Sequence, residues 1–178
     1  NVILYMAISA NGYIAKENDN VDWLSEESWK SYQDLTRTIH CSVIGRKTYD
    51  LMPAEEFLEG CLYIILTRQK GLKPKNPAAV FVSTPQEAVK LAEEKGFFKV
   101  LVAGGSTINR SFMEQKLIDE MCLDVEPTIL GKGIPLFRPG DFECNLELLD
   151  TKKLNANAVQ LHYKVKNYLF QESENHDH

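Results

Sequence analysis

The sequence predicts a three-layer α/β protein: a mixed, mostly parallel sheet with helices on both faces and an antiparallel edge at its C-terminal end. Three observations carry this. Short, continuously apolar runs such as Val2-Ile3-Leu4-Tyr5-Met6-Ala7-Ile8 suit strands buried on both faces. Segments with helix start and stop signals alternate with them, which is the pattern of a parallel sheet. Beyond Asp119 the alternation ends and two longer strands follow one another without a helix, as an antiparallel edge requires.

The opening strand, Val2 to Ile8, is broken by Ser9-Ala10-Asn11-Gly12. The segment from there to Leu24 has little periodicity but carries Tyr13, Ile14 and Trp23; loops this long in compact domains are usually lids or binding loops. Ser25 followed by Glu26, Glu27 and Ser28 reads as a capping box. A helix is therefore expected to Thr38, with Trp29, Tyr32, Gln33, Leu35 and Ile39 on neighbouring faces.

Cys41 to Ile44 is a second buried strand, Thr48 to Met52 a short helix stopped by Pro53, and Cys61 to Leu66 a third strand. Lys70 to Pro77 is a surface connection whose charges read as a solvated face. After a short strand at Val80 to Val82, Thr84-Pro85 opens a helix that Gly96 closes. Phe98 to Ala103 is the next strand and Ser106 to Lys116 the next helix. Met121, Leu123 and Val125 then alternate, Gly131-Lys132-Gly133-Ile134-Pro135 forms a loop, and Leu146 to Leu149 and Val159 to Val165 close the sheet. The expected organisation is one domain over residues 1–168 and a polar tail over 169–178, whose His176 and His178 read as solvated.

With 178 residues, 44% of them hydrophobic, the chain can bury a core as one domain. A net charge of −5 argues against nucleic-acid or membrane-surface binding, so any phosphate site must be local. Cys41, Cys61, Cys122 and Cys144 have no C-x-x-C pairing and no histidine at metal spacing. They read as small core residues of a cytoplasmic protein without a bound metal.

Chemistry concentrates at strand ends. Leu101-Val102-Ala103-Gly104-Gly105-Ser106-Thr107-Ile108 runs from strand through a glycine pair into a helix with hydroxyls in its first turn. Glycine permits close backbone approach, a helix start favours an anion, and hydroxyls add donors; the bland alternative is a mere connection. Val43-Ile44-Gly45-Arg46-Lys47-Thr48-Tyr49 repeats the logic with two cations, and Leu66-Thr67-Arg68 ends a strand between them. Ligands of open α/β sheets collect at these carboxyl ends. Arg46, Lys47 and Arg68 suit a phosphate monoester, and Gly104 to Thr107 a diester, a combination that NADPH satisfies. The rival reading makes Arg46 and Arg68 surface ion-pair partners.

Across nearly its whole length, to about Lys166, the sequence resembles the dihydrofolate-reductase-like superfamily. The resemblance rests on Ala7-Ile8-Ser9-Ala10-Asn11-Gly12-Tyr13-Ile14-Ala15, Asp22-Trp23-Leu24, Ile44 to Tyr49, Leu66 to Arg68 and Ala103 to Ile108. Beyond Asp119 it is nearest to the reductase domain of riboflavin biosynthesis, in Asp119-Glu120, Pro127 to Gly133 and Pro135-Leu136-Phe137. It implies a cytoplasmic NADPH-dependent reductase related to 5-amino-6-(5-phosphoribosylamino)uracil reductase. Arg46 and Arg68 would hold the adenosine phosphate. Gly45, Lys47, Thr48, Thr67 and the turn of Ala103, Gly104, Gly105, Ser106, Thr107 and Ile108 would hold the rest, and the backbone of Ala7 and Ile14 the carboxamide. It also implies a cis bond between Gly104 and Gly105, a lid from Ser9 to Leu24, and a homodimer through the late strands.

The substrate side departs from both patterns. Dihydrofolate reductases carry a carboxylate on the first helix where this chain has Trp29, with Gln33 one turn on. Riboflavin-type reductases have Lys, Asp and Glu where it has Tyr5, Asn11 and Ala103. Candidate donors and substrate contacts are therefore Tyr5, Asn11, Glu27, Trp29 and Gln33, each with a plain structural alternative: strand core for Tyr5, helix packing for Trp29, a first-turn acid matching the dipole for Glu27. A small heterocyclic substrate is expected. Dihydrofolate reductase, a non-catalytic NADPH-binding protein and a purely structural role are the alternatives.

Overall fold

The computed structural model describes residues 1–169. The sheet has eight strands: β1 (Val2–Ser9), β3 (Cys41–Gly45), β4 (Leu62–Leu66), β5 (Ala79–Val82), β6 (Val100–Val102), β7 (Glu120–Glu126), β9 (Glu143–Lys153) and β10 (Val159–Leu169). Their order is β5-β4-β3-β6-β1-β7-β10-β9. All neighbours are parallel except β7/β10 and β10/β9. A separate ribbon pairs β2 (Tyr13–Ala15) with β8 (Ile134–Pro135), neither foreseen, and so ties the segment expected as a lid to the loop after β7. Gly133 has to be glycine there, since a Cβ would stand 2.5 Å from the Ala15 carbonyl oxygen.

Alternation along the strands sorts two cores. Leu4, Val43, Ile64, Val102 and Leu123 face α3 (Pro85–Glu94) and α4 (Ser106–Glu114). Ile3, Tyr5, Leu101 and Cys122 face α1 (Glu26–Ile39), while Ile44, Tyr63 and Ile65 pack with Tyr49 of α2 (Arg46–Leu51). Each fully buried aliphatic side chain contributes about 1.5–3 kcal/mol. The layers therefore explain why the strand sequences are apolar on both faces.

Several boundaries move. The short helix starts at Arg46, directly on the strand end, two residues before the expected Thr48. The strand before Gly104 shortens to three residues, and β9 lengthens to eleven. β10 continues to Leu169, which pairs with Glu143, one residue past the expected domain end; His176 and His178 lie outside the described residues. Ser25 does cap α1, accepting from the Ser28 amide at 3.2 Å, but the box is not reciprocal. Ser28 occupies the position where a box needs Glu or Gln, and its hydroxyl goes elsewhere.

On the late strands, through which a homodimer is expected, Met121, Leu123 and Val165 are core. Leu146 and Leu148 of β9 are 39% and 53% exposed. Lys75, expected to be solvated, is tied to Tyr49: its ammonium lies 4.6 Å from the ring centroid and donates to the Tyr49 carbonyl at 2.8 Å.

Candidate active site

Two adjoining hollows open at the carboxyl ends of β1, β3 and β6. A groove of about 560 Å³ is lined by Ile14, the run Gly45-Arg46-Lys47-Thr48 and the run Ala103-Gly104-Gly105-Ser106-Thr107-Ile108. Beside it lies a cavity of about 210 Å³, and Met6, Ile14, Trp29, Thr48 and Ala103 border both.

Two strand-end turns form the floor of the groove. The two strand-end turns are locked together: the Gly45 amide donates to the Gly104 carbonyl at 2.9 Å, and the Ala103 amide to that of Val43 at 3.0 Å. A Cβ on Gly45 would lie 2.8 Å from Ile108, so glycine is what lets the turns touch. Gly104 and Gly105 are joined by a cis peptide bond, with Gly104 at φ +90°. Ser106 opens α4; its hydroxyl is 4% exposed with its residue and has no hydrogen-bond partner. A buried hydroxyl without a partner costs about 1–3 kcal/mol, and a bound anion would remove that cost.

Three cations line the groove, Arg46, Lys47 and Arg138, and the first two are held by acids. Arg46 Nε lies 3.0 Å from Asp50, and its Nη1 donates to Gln69 at 2.7 Å. Lys47 Nζ lies 2.8 Å from Asp19 of the lid segment. Arg46 thus lines the groove and is also the surface ion-pair partner of the rival reading. Thr67 and Arg68 border neither hollow: Thr67 Oγ1 caps the Gln69 amide, and Arg68 is exposed past the end of β4. The end of that strand reaches Arg46 only through Gln69.

The cavity takes Ser28, Trp29, Tyr32, Gln33 and Thr36 from one face of α1, at helical spacing, and Tyr5, Met6 and Ala7 from β1. Trp29 is 39% exposed and is wall, not core. Tyr5 stacks on Tyr32 with centroids 5.3 Å apart and planes 25° apart, and Trp29 follows at 5.7 Å. Of the five proposed substrate contacts, Tyr5, Trp29 and Gln33 meet here. Asn11 does not: its amide ties the lid base to Leu130 and accepts from Ser9. Glu27 does not either, because it projects beside Asn155 on another face of the helix.

The sequence reading missed Asp124 and Glu126, both buried on β7. Asp124 accepts from the Tyr5 hydroxyl, from Ser28 Oγ at 2.8 Å and from Gln160 at 2.8 Å; Glu126 accepts from Ser25 Oγ at 2.7 Å. Serines three apart on a helix meet acids two apart on a strand. Burial, then the Asp124 charge, push the Tyr5 phenol far above its ordinary range, so it stays protonated. The signal was present in Glu120-Met121-Cys122-Leu123-Asp124-Val125-Glu126, whose polar members share one face of a strand that proves to be interior. Among the described residues, no group of three or more His, Cys, Asp or Glu is placed to hold a metal ion, and no helix is long and apolar enough to cross a membrane.

Comparison with known proteins identifies the relatives of this arrangement. The RibD C-terminal domain profile matches residues 1–160. A protein named YwjB of Bacillus subtilis strain 168 is 33% identical over 168 residues, 90% of this chain and 95% of that one. A protein ascribed to riboflavin biosynthesis from Shewanella sp. PV-4 has the same fold at TM-score 0.79 and 21% identity, over 93% of this chain and 99% of that one. The deaminase/5-amino-6-(5-phosphoribosylamino)uracil reductase of Thermotoga maritima matches at TM-score 0.71 and 15% identity, over 93% of this chain and 56% of that one. The chain belongs to the RibD C-terminal domain family and has its dihydrofolate-reductase-like fold.

Proposed function

We propose that this member of the RibD C-terminal domain family is an NADPH-dependent reductase of a small heterocycle. One observation carries the reading: the unpartnered, buried Ser106 hydroxyl sits at a helix start in a groove with Arg46 and Lys47, next to an aromatic-walled cavity. Groove and cavity share a border, as donor and acceptor of a hydride must.

Arg46 and Lys47 would hold phosphate charge, and Ser106 with the first amides of α4 would bind a diester. Bound there, NADPH supplies the hydride. Trp29, Ile14 and Met6 wall the junction of the two hollows against water. Tyr5 Oη, held by Asp124, keeps a proton at the cavity wall, while the segment from Ser9 to Leu24 covers the mouth. The protein works in the cytoplasm as a homodimer through β9 and β10, with Leu146 and Leu148 in the contact; light scattering at micromolar concentration checks the dimer.

The test is titration of NADPH and NADH, read by quenching of Trp29 fluorescence. Arg46→Ala should weaken NADPH by about 1.5–3 kcal/mol, the loss of a charged hydrogen bond, and leave NADH nearly unchanged. Equal losses for both would remove Arg46 from the ribose phosphate.

A further inference from the structure

We infer that the cavity takes a flat, unphosphorylated heteroaromatic ring bearing N–H donors, and that it excludes ligands with an anionic arm. This rests on the reading of the adjoining groove as the cofactor's place.

Direction of hydrogen bonding gives the donor requirement. Tyr5 Oη and Ser28 Oγ both line the cavity, and both direct their single proton to Asp124. A hydroxyl has one proton to give. What these two atoms offer a ligand is lone pairs, so the edge of the ligand that faces them must bring the hydrogens. The arrangement is fixed from behind, because the other Asp124 oxygen accepts from Gln160, which also donates to Ser31 at 2.9 Å. Two further hydroxyls on the wall give their protons to backbone carbonyls: Thr36 Oγ1 donates to that of Tyr32 at 2.9 Å, and Tyr63 Oη to that of Glu56 at 3.5 Å.

Charge gives the exclusion. No Lys, Arg or His is among the cavity's lining residues; its one ionisable carboxyl is Glu56, which borders the groove too. Burial, then the neighbouring Glu55, push that carboxyl up, in line with a setting that disfavours negative charge. A phosphate here would lose its water with no cation to meet it, and Asp124 stands behind the wall. The cations Arg46, Lys47 and Arg138 belong to the groove. Shape agrees: Tyr5, Tyr32 and Trp29 form a run of rings, and about 210 Å³ is below the roughly 300–1,000 Å³ usual for drug-sized ligands. The resemblance to a reductase of a phosphoribosyl compound therefore stops at this cavity.

The experiment uses the full chain saturated with NADP⁺, its binding first verified by Trp fluorescence, and three probes: an aminouracil base, its riboside and the riboside 5′-phosphate. Calorimetry should show the base and riboside binding about tenfold or more tighter than the phosphate. Tyr5→Phe should weaken the base by about tenfold with NADP⁺ affinity unchanged, and Gln33→Lys, which puts a cation on the wall, should admit the phosphate. Should Tyr5→Phe not fold, Gln33→Lys alone decides. Phosphate binding equal to or tighter than that of the riboside overturns the inference, and so does failure of all three probes while NADP⁺ binds. Failure of NADP⁺ itself to bind overturns the reading of the groove instead.

Discussion

The groove takes about half of its wall from two short stretches, Gly45 to Thr48 and Ala103 to Ile108, whereas the cavity beside it takes its wall chiefly from α1, β1 and the segments flanking α2 and β4, backed by β7 and β10. In the groove, the chemistry belongs to the backbone and to residues adjacent in sequence. In the cavity, it belongs to side chains that meet only once the sheet order is set. A local site spends little of the fold's stability, while an assembled one is part of the core that holds the helix to the sheet.

The sharpest test of that contrast is Asp124→Ala. It leaves Tyr5, Ser28 and Gln160 with a lost acceptor at the seam between α1 and β7. Stability to urea should fall by about 3–5 kcal/mol, with Asp124→Asn costing less because it keeps an acceptor. A loss under about 1 kcal/mol would mean that the cavity floor is not structural, and the contrast would break.

Ser106→Ala probes the other half and should act with opposite signs on two readouts. Removing a buried hydroxyl that has no partner should raise the stability of the free protein by up to about 1 kcal/mol, while NADPH binding should weaken by about 0.5–1.5 kcal/mol. Lower stability together with unchanged binding would make Ser106 a residue of the core rather than of the cradle.

The same contrast explains what could be read from sequence. Gly104-Gly105-Ser106 and Gly45-Arg46-Lys47 announce themselves because a turn and a helix start are local events. Thr67 and Arg68 share that local look, yet the structure leaves them one strand away from the groove, since sequence proximity to a strand end does not fix which direction a side chain takes. Asp124 is not legible because the alternation of Met121, Leu123 and Val125 reads as a strand with one wet face, and only the packing of α1 on the other face buries it. Glu27 matches the sequence expectation of an acid on α1, but its place on the helix turns it toward Asn155.

The smallest expected effect lies where the lid meets the groove. Asp19 holds Lys47 at 2.8 Å, and the two side chains are 31% and 72% exposed, so the pair is screened by solvent. On the proposed function, the Asp19 carboxylate occupies in the free protein a donor that the phosphates of NADPH would need, so binding would first exchange one anion for another. Asp19→Asn removes the competitor and keeps the size of the side chain. NADPH should bind tighter by about 0.2–1 kcal/mol at low salt, with the gain shrinking as salt rises, and unfolding should be unchanged within about 0.5 kcal/mol. Weaker NADPH binding in the variant would show that Asp19 helps to close the lid over the ligand, and would move this contact from the free state to the bound one.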